Sequence, residues 1–421
     1  MKAPLSSKWS RRLVFLAAAL LVSGLVALLI TQVLLVDESE SVDTRPAGAF
    51  YTAPDPVPSG PAGTIIRSQP HLVPKAMGAP VGTKATAVLY TSRDYVTGKP
   101  IAVSGVIYQP PPGPLPKGGR PVVAWAHGTT GIASPCAPSL QANPSQVAQP
   151  GFAGFLSQGW IVTTTDYTGL GTQGPHPYLI GNSSGREVLD SIRAARLLPG
   201  TGAGDRAIVA GHSQGGQSAL FAAALAKKYA PEIRLLGVSA VAPAAELKEL
   251  LQLDANETAG VIVSSLALWS WSHTQPGADL SAVVGKEGRD LIDSIASRCI
   301  NSKKGLLEDL PAAAEALALH AIDPAKLQAN PVWAQIESEN TPPLPAAGPP
   351  LLIAQGTADT LIRPQTTAQV VTTLCARRRI VLSVLMPGVQ HPDAGLAAAP
   401  KVLVWAQNLF AGGRPSSNCP A

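Results

Sequence analysis

Gly211-His212-Ser213-Gln214-Gly215 sets a serine between two glycines in the order G-x-S-x-G, after an apolar strand-like run, Ala207–Ala210, and before a helix-forming run from Gln217. A serine hydroxyl is a weak nucleophile at neutral pH, so it must be held where a base can take its proton. A tight strand-to-helix turn does this, and it needs near-absent side chains two positions either side of the serine. The following helix also aims its N-terminus at the reacting oxygen and adds favourable partial charge there. Such a turn calls for an acid and then a histidine later in the chain. The strand-like run Leu351–Ala354 leads into Gln355-Gly356-Thr357-Ala358-Asp359, a turn that carries a carboxylate. Asp359 there could accept from an imidazole, fix its tautomer and stabilise the imidazolium. The same carboxylate could instead close an Asx-turn or cap the helix expected from Thr366. Asp393 is the rival acid, but it stands two residues from His391 on a short loop. Of the seven histidines only His391 lies beyond Asp359, on a Pro/Gly loop after the run Ile380–Leu385, so chain order selects it.

An oxyanion developing on a substrate needs two backbone N–H donors. One is expected at Gln214, directly after Ser213. The other is expected in His127-Gly128-Thr129-Thr130-Gly131, the loop after Val122–Ala126, at Thr129 with Thr130 second. Gly169-Leu170-Gly171-Thr172-Gln173-Gly174 matches the dinucleotide pattern G-x-G-x-x-G, but Pro175 and Pro177 follow it. No helix can begin there to hold a pyrophosphate. The segment is expected to form a loop that brings Asp166, Tyr167, His176 and Tyr178 near the pocket.

To position these residues the chain alternates strands and helices. Strand patterns fall at Ala102–Tyr108, Val122–Ala126, Trp160–Thr165, Ala207–Ala210, Leu236–Ala242, Leu351–Ala354 and Ile380–Leu385; helical patterns fall at Glu187–Leu198, Gln217–Tyr229, Thr366–Ala376 and Leu396–Phe410. This alternation predicts an α/β chain with a mostly parallel sheet covered by helices on both faces. The proline run Pro110–Pro116 reads as a surface loop between two strands. About a hundred residues between Ala242 and Leu351 lack strand signals and include the very apolar piece Ala259–Trp271. A crossover needs far fewer residues, so residues 244–344 are expected as an inserted helical cap, with the core in 81–243 and 345–421. The cap would supply an apolar wall and a lid over the site.

Lysines and arginines outnumber acidic residues by five, but Lys2, Lys8, Arg11 and Arg12 precede the first acidic residue, Asp37, and leave the rest at +1. A nearly neutral body with 14% charged residues is no nucleic-acid binder. The basic start runs into the uncharged Leu13–Val36 and then Asp37-Glu38-Ser39-Glu40. That run is longer than a signal-peptide core and long enough to span a bilayer. Residues 1–36 are therefore expected to be a signal sequence or, by preference, an uncleaved anchor with the body outside the cytoplasm. Residues 37–80, rich in Pro and Gly, read as a stalk and N-terminal arm. Cys136, Cys299, Cys375 and Cys419 have no zinc spacing, and an even count in an exported chain suggests two disulfides in one of three pairings. Cys136–Cys299 with Cys375–Cys419 is preferred, the second because it would tie down the C-terminal tail. Asn182-Ser183-Ser184 and Asn256-Glu257-Thr258 match glycosylation acceptors, relevant only in a eukaryotic host.

His127–Gly131 with Cys136-Ala137-Pro138-Ser139, Asp166-Tyr167-Thr168-Gly169-Leu170-Gly171 with His176-Pro177-Tyr178, and Gly211–Gly216 together resemble the secretory lipase family, from about Phe50 to the C-terminus. The resemblance implies an α/β-hydrolase core, a helical cap inserted before the acid-bearing strand, and a triad of Ser213, Asp359 and His391. It also implies hydrolysis of carboxylic esters, acylglycerols included, with no metal or cofactor. The preferred cysteine pairing agrees with the family's core-to-cap and C-terminal bridges. The chain departs from fungal members in His127-Gly128 at the oxyanion loop and in its N-terminal apolar run. The leading expectation is a monomeric cell-envelope lipase or esterase acting on a lipid or ester substrate. An envelope acyltransferase would use the same three residues on an alcohol acceptor. A non-enzymatic lipid-binding protein would be favoured by a broken triad, and here every member is present.

Overall fold

Apolar strand runs alternate with helices along the chain, and the computed structural model, which describes residues 48–141, 150–254, 257–300 and 303–420, gathers the strands into one nine-stranded sheet. The strands are β1 (Ile65–His71), β2 (Lys84–Arg93), β3 (Pro100–Gln109), β4 (Arg120–Ala126), β5 (Ile161–Thr165), β6 (Ala203–His212), β7 (Arg234–Val241), β8 (Leu351–Gly356) and β9 (Val381–Met386). Their order across the sheet is β1-β2-β3-β5-β4-β6-β7-β8-β9. Pairing is antiparallel from β1 to β5 and parallel from β5 to β9. The helices are α1 (Phe152–Ser157), α2 (Gly181–Leu197), α3 (Gln214–Tyr229), α4 (Leu247–Asp254), α5 (Thr258–Thr274), α6 (Lys286–Ala296), α7 (Lys303–Ala318), α8 (Pro324–Ala329), α9 (Pro331–Asn340), α10 (Pro364–Ala376) and α11 (Ala394–Phe410).

Strands buried on both faces read as unbroken apolar runs, and β4 is one of them. Its Val123 and Trp125, with Ile208 and Ala210 of β6, pack on the side of α1 and α11 against Phe152, Phe155 and Trp405. The alternate residues Val122, Ala124, Ala207 and Val209 pack on the side of α2, α3 and α10 against Val188, Leu220 and Val370. The expected mostly parallel sheet with helices on both faces is therefore present. Pro111–Lys117 form a largely exposed loop between β3 and β4.

Two strands depart from the sequence expectation, which has none before Ala102. β1 lies inside residues 37–80, expected as stalk and arm. Ser68, Gln69 and Pro70 are exposed and look like linker. Pairing with β2 makes them a strand, and an edge position tolerates the proline's missing N–H. β2 is almost wholly buried, so it lacks the polar alternation that marks a strand. Helix α2 also starts at Gly181, six residues before the helical pattern at Glu187. A side chain at Gly181 would collide with the Phe221 ring of α3, so close helix packing overrides weak helix propensity. The N-terminal run Leu13–Val36, residues 37–47 of the expected stalk, and Asn256 of one acceptor pattern lie outside the described residues. Among the described residues no helix is long and apolar enough to cross a membrane.

The described chain between β7 and β8 is helical, from α4 to α9. Val261, Ile262, Leu266, Leu268 and Trp271 are all buried, so α5 is covered on every side, as its uniform apolarity requires. A disulfide joins Cys136, after β4, to Cys299, after α6. The other joins Cys375 of α10 to Cys419. Beside it Asn418 exchanges two hydrogen bonds of 2.8 Å with the backbone of Ser383, covering the outer edge of β9. Both bridges match the preferred pairing. Replacing Cys136 and Cys299 by serine releases a crosslink of sequence separation 163. The expected loss is about 2–4 kcal/mol of unfolding free energy, read as a lower denaturant midpoint without reductant. An unchanged midpoint would show that the bridge constrains nothing.

Candidate active site

Ser213 follows β6 and precedes α3 with φ 58° and ψ −119°, a backbone conformation costing about 1–3 kcal/mol for a residue with a side chain. Its surroundings hold it there. Ser213 N–H donates to Val241 O at 3.0 Å, and its carbonyl accepts from Gln217 N at 3.1 Å and Ala244 N at 3.2 Å. A Cβ on Gly211 would run into the carbonyl of Gly215, and one on Gly215 into the carbonyl of Ala126. Only glycine lets the turn and the end of β4 approach so closely. Gln214 becomes the first residue of α3, where backbone N–H groups have no partner within the helix.

Three loops at the C-terminal ends of parallel strands meet here. His391 follows β9, Asp359 follows β8 and Ser213 follows β6. Ser213 Oγ lies 2.9 Å from His391 Nε2, and His391 Nδ1 lies 2.8 Å from Asp359 Oδ2. Nδ1 faces a carboxylate and so carries the hydrogen; Nε2 is left as acceptor for the serine hydroxyl. Asp359 is buried, and its charge is met by donors on both oxygens. Oδ1 accepts from Ile362 N at 2.8 Å and Leu361 N at 3.0 Å, while Oδ2 also accepts from Gln355 Nε2 at 3.2 Å. The Asx-turn and the imidazole contact, alternatives in the sequence, thus coexist on opposite oxygens of one carboxylate. Asp393, the rival acid, is exposed.

The loop after β4 lies over Ser213. A Cβ on Gly128 would stand 3.8 Å from Ser213 Cβ and 3.3 Å from His212 Nδ1. Thr129 follows, with its Oγ1 hydrogen-bonded to Tyr178 OH at 2.7 Å. Ser213, His391, Asp359, Gln214 and Thr129 are therefore gathered at one edge of the sheet.

Further groups support the site, and of these His212 and Glu187 carry no recognisable signal in the sequence. His212 is buried, lies with its ring tilted 36° against that of His391 at a centroid distance of 4.7 Å, and is held well below the usual histidine pKa by burial and then by repulsion from His391. His176 is pushed down to about 3 by burial, so it is neutral. Its Nδ1–H donates to Thr168 O at 2.9 Å, and its Nε2 accepts from the Gln214 amide at 3.0 Å. Thr168 N–H in turn donates to Glu187 at 3.1 Å, and Ser183 Oγ donates to the same carboxyl at 2.8 Å. Burial raises the Glu187 pKa to about 7. This chain of contacts anchors the 166–178 loop beside the turn, as the pocket role expected for Tyr178 and His176 requires. Among the described residues no cluster could hold a metal ion.

Ser213 opens onto an enclosed apolar cavity lined by Tyr178, Leu179, Leu247, Leu251, Ala267 and Trp271 among others. Its volume is ≈ 20 Å³, room for about one water. Ser270 Oγ of α5 donates to His176 O at 2.6 Å and accepts from Tyr178 N at 2.8 Å, which ties the helix to this wall. A broader cleft of ≈ 740 Å³ among Pro111, Pro114, Arg120 and Phe410 lies at the opposite end of β4, away from these groups. The arrangement at Ser213 can draw the proton from a hydroxyl through an imidazole oriented by a carboxylate, beside an apolar wall.

A family model described as secretory lipase matches residues 138–418. Lipase A of Moesziomyces aphidis is 23% identical over 294 residues, which span 66% of this chain and 62% of that protein, less than two thirds of its length. Lipase A of Arthroderma benhamiae is 26% identical over 397 residues, 88% of this chain and 80% of that one. Among solved structures, Candida antarctica lipase A in its closed state superposes with a TM-score of 0.71 at 19% identity, covering 90% of this chain and 91% of that chain. Likeness at this identity shows the α/β-hydrolase fold.

Glu187 makes the site's support sensitive to pH. Its folded pKa, about 7 against 4.5, is raised, so the stability it contributes is full below about pH 4.5 and is lost as pH rises through about 7. Against a Glu187→Gln variant, wild-type unfolding free energy is expected to fall by roughly 3 kcal/mol from pH 4 to pH 8. Parallel pH curves for the two proteins in urea melts would contradict the raised pKa.

Proposed function

The chain belongs to the secretory lipase family, and from that premise we propose that it hydrolyses carboxylic esters of lipids through Ser213, His391 and Asp359. The observation that carries this reading is the hydrogen-bonded line from Asp359 Oδ2 through His391 to Ser213 Oγ, at 2.8 Å and 2.9 Å, ending at an apolar cavity.

His391 Nε2 takes the proton of Ser213 as Oγ bonds to the ester carbonyl carbon. The carbonyl oxygen becomes an oxyanion, stabilised by the N–H groups of Gln214 and Thr129. Collapse breaks the bond to the alcohol, which leaves with the proton from His391 and an acyl group remains on Ser213. Water then gives its proton to His391 and attacks the acyl carbon; the acid departs and Ser213 regains its hydrogen. Throughout, Asp359 holds Nδ1–H and offsets the charge of the imidazolium.

A cavity of ≈ 20 Å³ admits no acyl chain. The helical segment 244–344 therefore acts as a lid, with α4 moving off Ser213 as the substrate enters while α5, tied to the 166–178 loop through Ser270 and Trp271, stays as the wall. The apolar character of Leu247, Leu251 and Trp271 suits the acyl group of a lipid ester rather than a charged leaving group. The reading also places the enzyme outside the cytoplasm, where its two disulfides persist. Leu13–Val36 serves there as tether or as export signal.

A fluorophosphonate probe is expected to label the wild type and not Ser213→Ala, and that variant is expected to lose roughly four to six powers of ten in kcat on p-nitrophenyl esters. Labelling that persists without the Ser213 hydroxyl would overturn the assignment. Asp359→Asn keeps the shape of the site but loses the acceptor that fixes the tautomer. Its kcat is expected to fall by about 10⁴ with KM little changed; a drop under tenfold would remove Asp359 from the mechanism.

A further inference from the structure

Three residues lining the cavity beside Ser213 carry hydroxyls: Tyr178, Ser213 and Ser264. Ser213 Oγ is engaged with His391, and Tyr178 OH with Thr129 Oγ1. Ser264 is fully buried, and its Oγ has no protein partner. The hydroxyls later in the same helix behave differently. Thr274 Oγ1 donates to Ser270 O at 2.8 Å, Ser272 Oγ to Trp269 O at 2.7 Å, and Ser270 Oγ bridges His176 O and Tyr178 N. A buried helical serine usually bonds back to a carbonyl of the preceding turn. Ser264 does not.

Its position gives this a direction. Ser264, Ala267 and Trp271 recur at helical spacing, and all three line the cavity, so they form the face of α5 turned toward Ser213. Ser265 is equally buried with an equally unpartnered Oγ, but it is absent from the cavity wall. A hydroxyl sealed into an apolar wall without a partner is unfavourable, and a ligand oxygen that reaches it removes that cost. A site built this way discriminates between ligands that supply the oxygen and those that do not.

We propose that Ser264 is a specificity-determining residue that hydrogen-bonds an oxygen on the acyl chain, so that the site prefers esters of hydroxy- or oxo-acids to plain-chain esters of equal length. This rests on the reading of the site as an ester hydrolase. The oxygen is carried along the chain, away from the scissile carbonyl, which Gln214 and Thr129 receive. Trp271 Nε1 donates to Tyr178 O at 2.9 Å, so the Trp271 end of α5 is fastened to the loop beside Ser213. Ser264 stands about two helical turns further, ~10 Å along the axis.

The test is a ladder of p-nitrophenyl esters of one chain length, plain or bearing a hydroxyl at successive carbons, assayed with wild type, Ser264→Ala and Ser265→Ala. Wild type is expected to show a kcat/KM about tenfold higher for at least one hydroxylated ester than for the plain one. Ser264→Ala is expected to lose that preference, its ratio of hydroxylated-ester to plain-ester kcat/KM falling to about one. Ser265→Ala, the same chemistry off the cavity wall, is expected to keep the preference. A wild type indifferent to the hydroxyl at every position overturns the proposal without any variant being needed, and so does a preference that survives in Ser264→Ala. If no ester is cleaved and no fluorophosphonate labels Ser213, the hydrolase reading fails and the proposal falls with it. Plain esters cleaved without preference sink the role of Ser264 alone.

Discussion

Ser213 is held in a conformation that few side-chain-bearing residues adopt because Gly211 and Gly215 let three backbone segments crowd against it. The carbonyl of Ala126 at the end of β4 occupies the space a Cβ on Gly215 would need, and the carbonyl of Gly215 does the same to Gly211. That contact brings the loop after β4 over the serine and starts α3 directly behind it. It also turns the serine's hydroxyl out of the sheet toward the loops that follow β8 and β9. Every other feature of the site is arranged around this turn. Neither the imidazole of His391 nor the loop after β4 could reach a serine lying flat in a regular strand.

Electrostatics then separates one histidine from the rest. His127, His176 and His212 surround the turn, and burial is the leading cause that lowers the pKa of each. They remain neutral near pH 7, so they set no positive charge beside His391. His391 alone has a carboxylate on one nitrogen and a hydroxyl on the other. Asp359 can stay buried and charged because backbone N–H groups and the Gln355 amide share it with the imidazole. Gln355 is itself fixed by Thr367 Oγ1 at 2.6 Å and by Ile362 O at 2.9 Å. The acid's position thus depends on packing across β8 and α10 rather than on the turn alone.

Much of this was legible from residue order. Gly211, Ser213 and Gly215 mark the turn because only glycine fits its flanks, and a histidine after an acid after the serine is an ordering that follows from strand sequence. The strands β3 to β9 announced themselves through apolar runs, although β9 is only partly buried. β1 and β2 did not. β1 is an exposed edge with Pro70, and β2 has no polar face to alternate with its apolar one. Both are strands because of their neighbours. The early start of α2 has the same origin: Gly181 is a poor helix former locally and a necessary one against Phe221.

The sequence by itself determined which side chains could perform the chemistry, the order in which they occur, the apolar faces that make the sheet, and the cysteines available for crosslinks. These are local properties, carried by residue type and spacing. Tertiary structure alone decided that Asp359 would close an Asx-turn with one oxygen and hold an imidazole with the other. It alone set His176 against the Gln214 amide, and it left Ser264 unpaired in the cavity wall while Ser270, Ser272 and Thr274 of the same helix were satisfied. Those outcomes depend on distances between residues far apart in the chain, and no periodicity encodes a distance across a folded core.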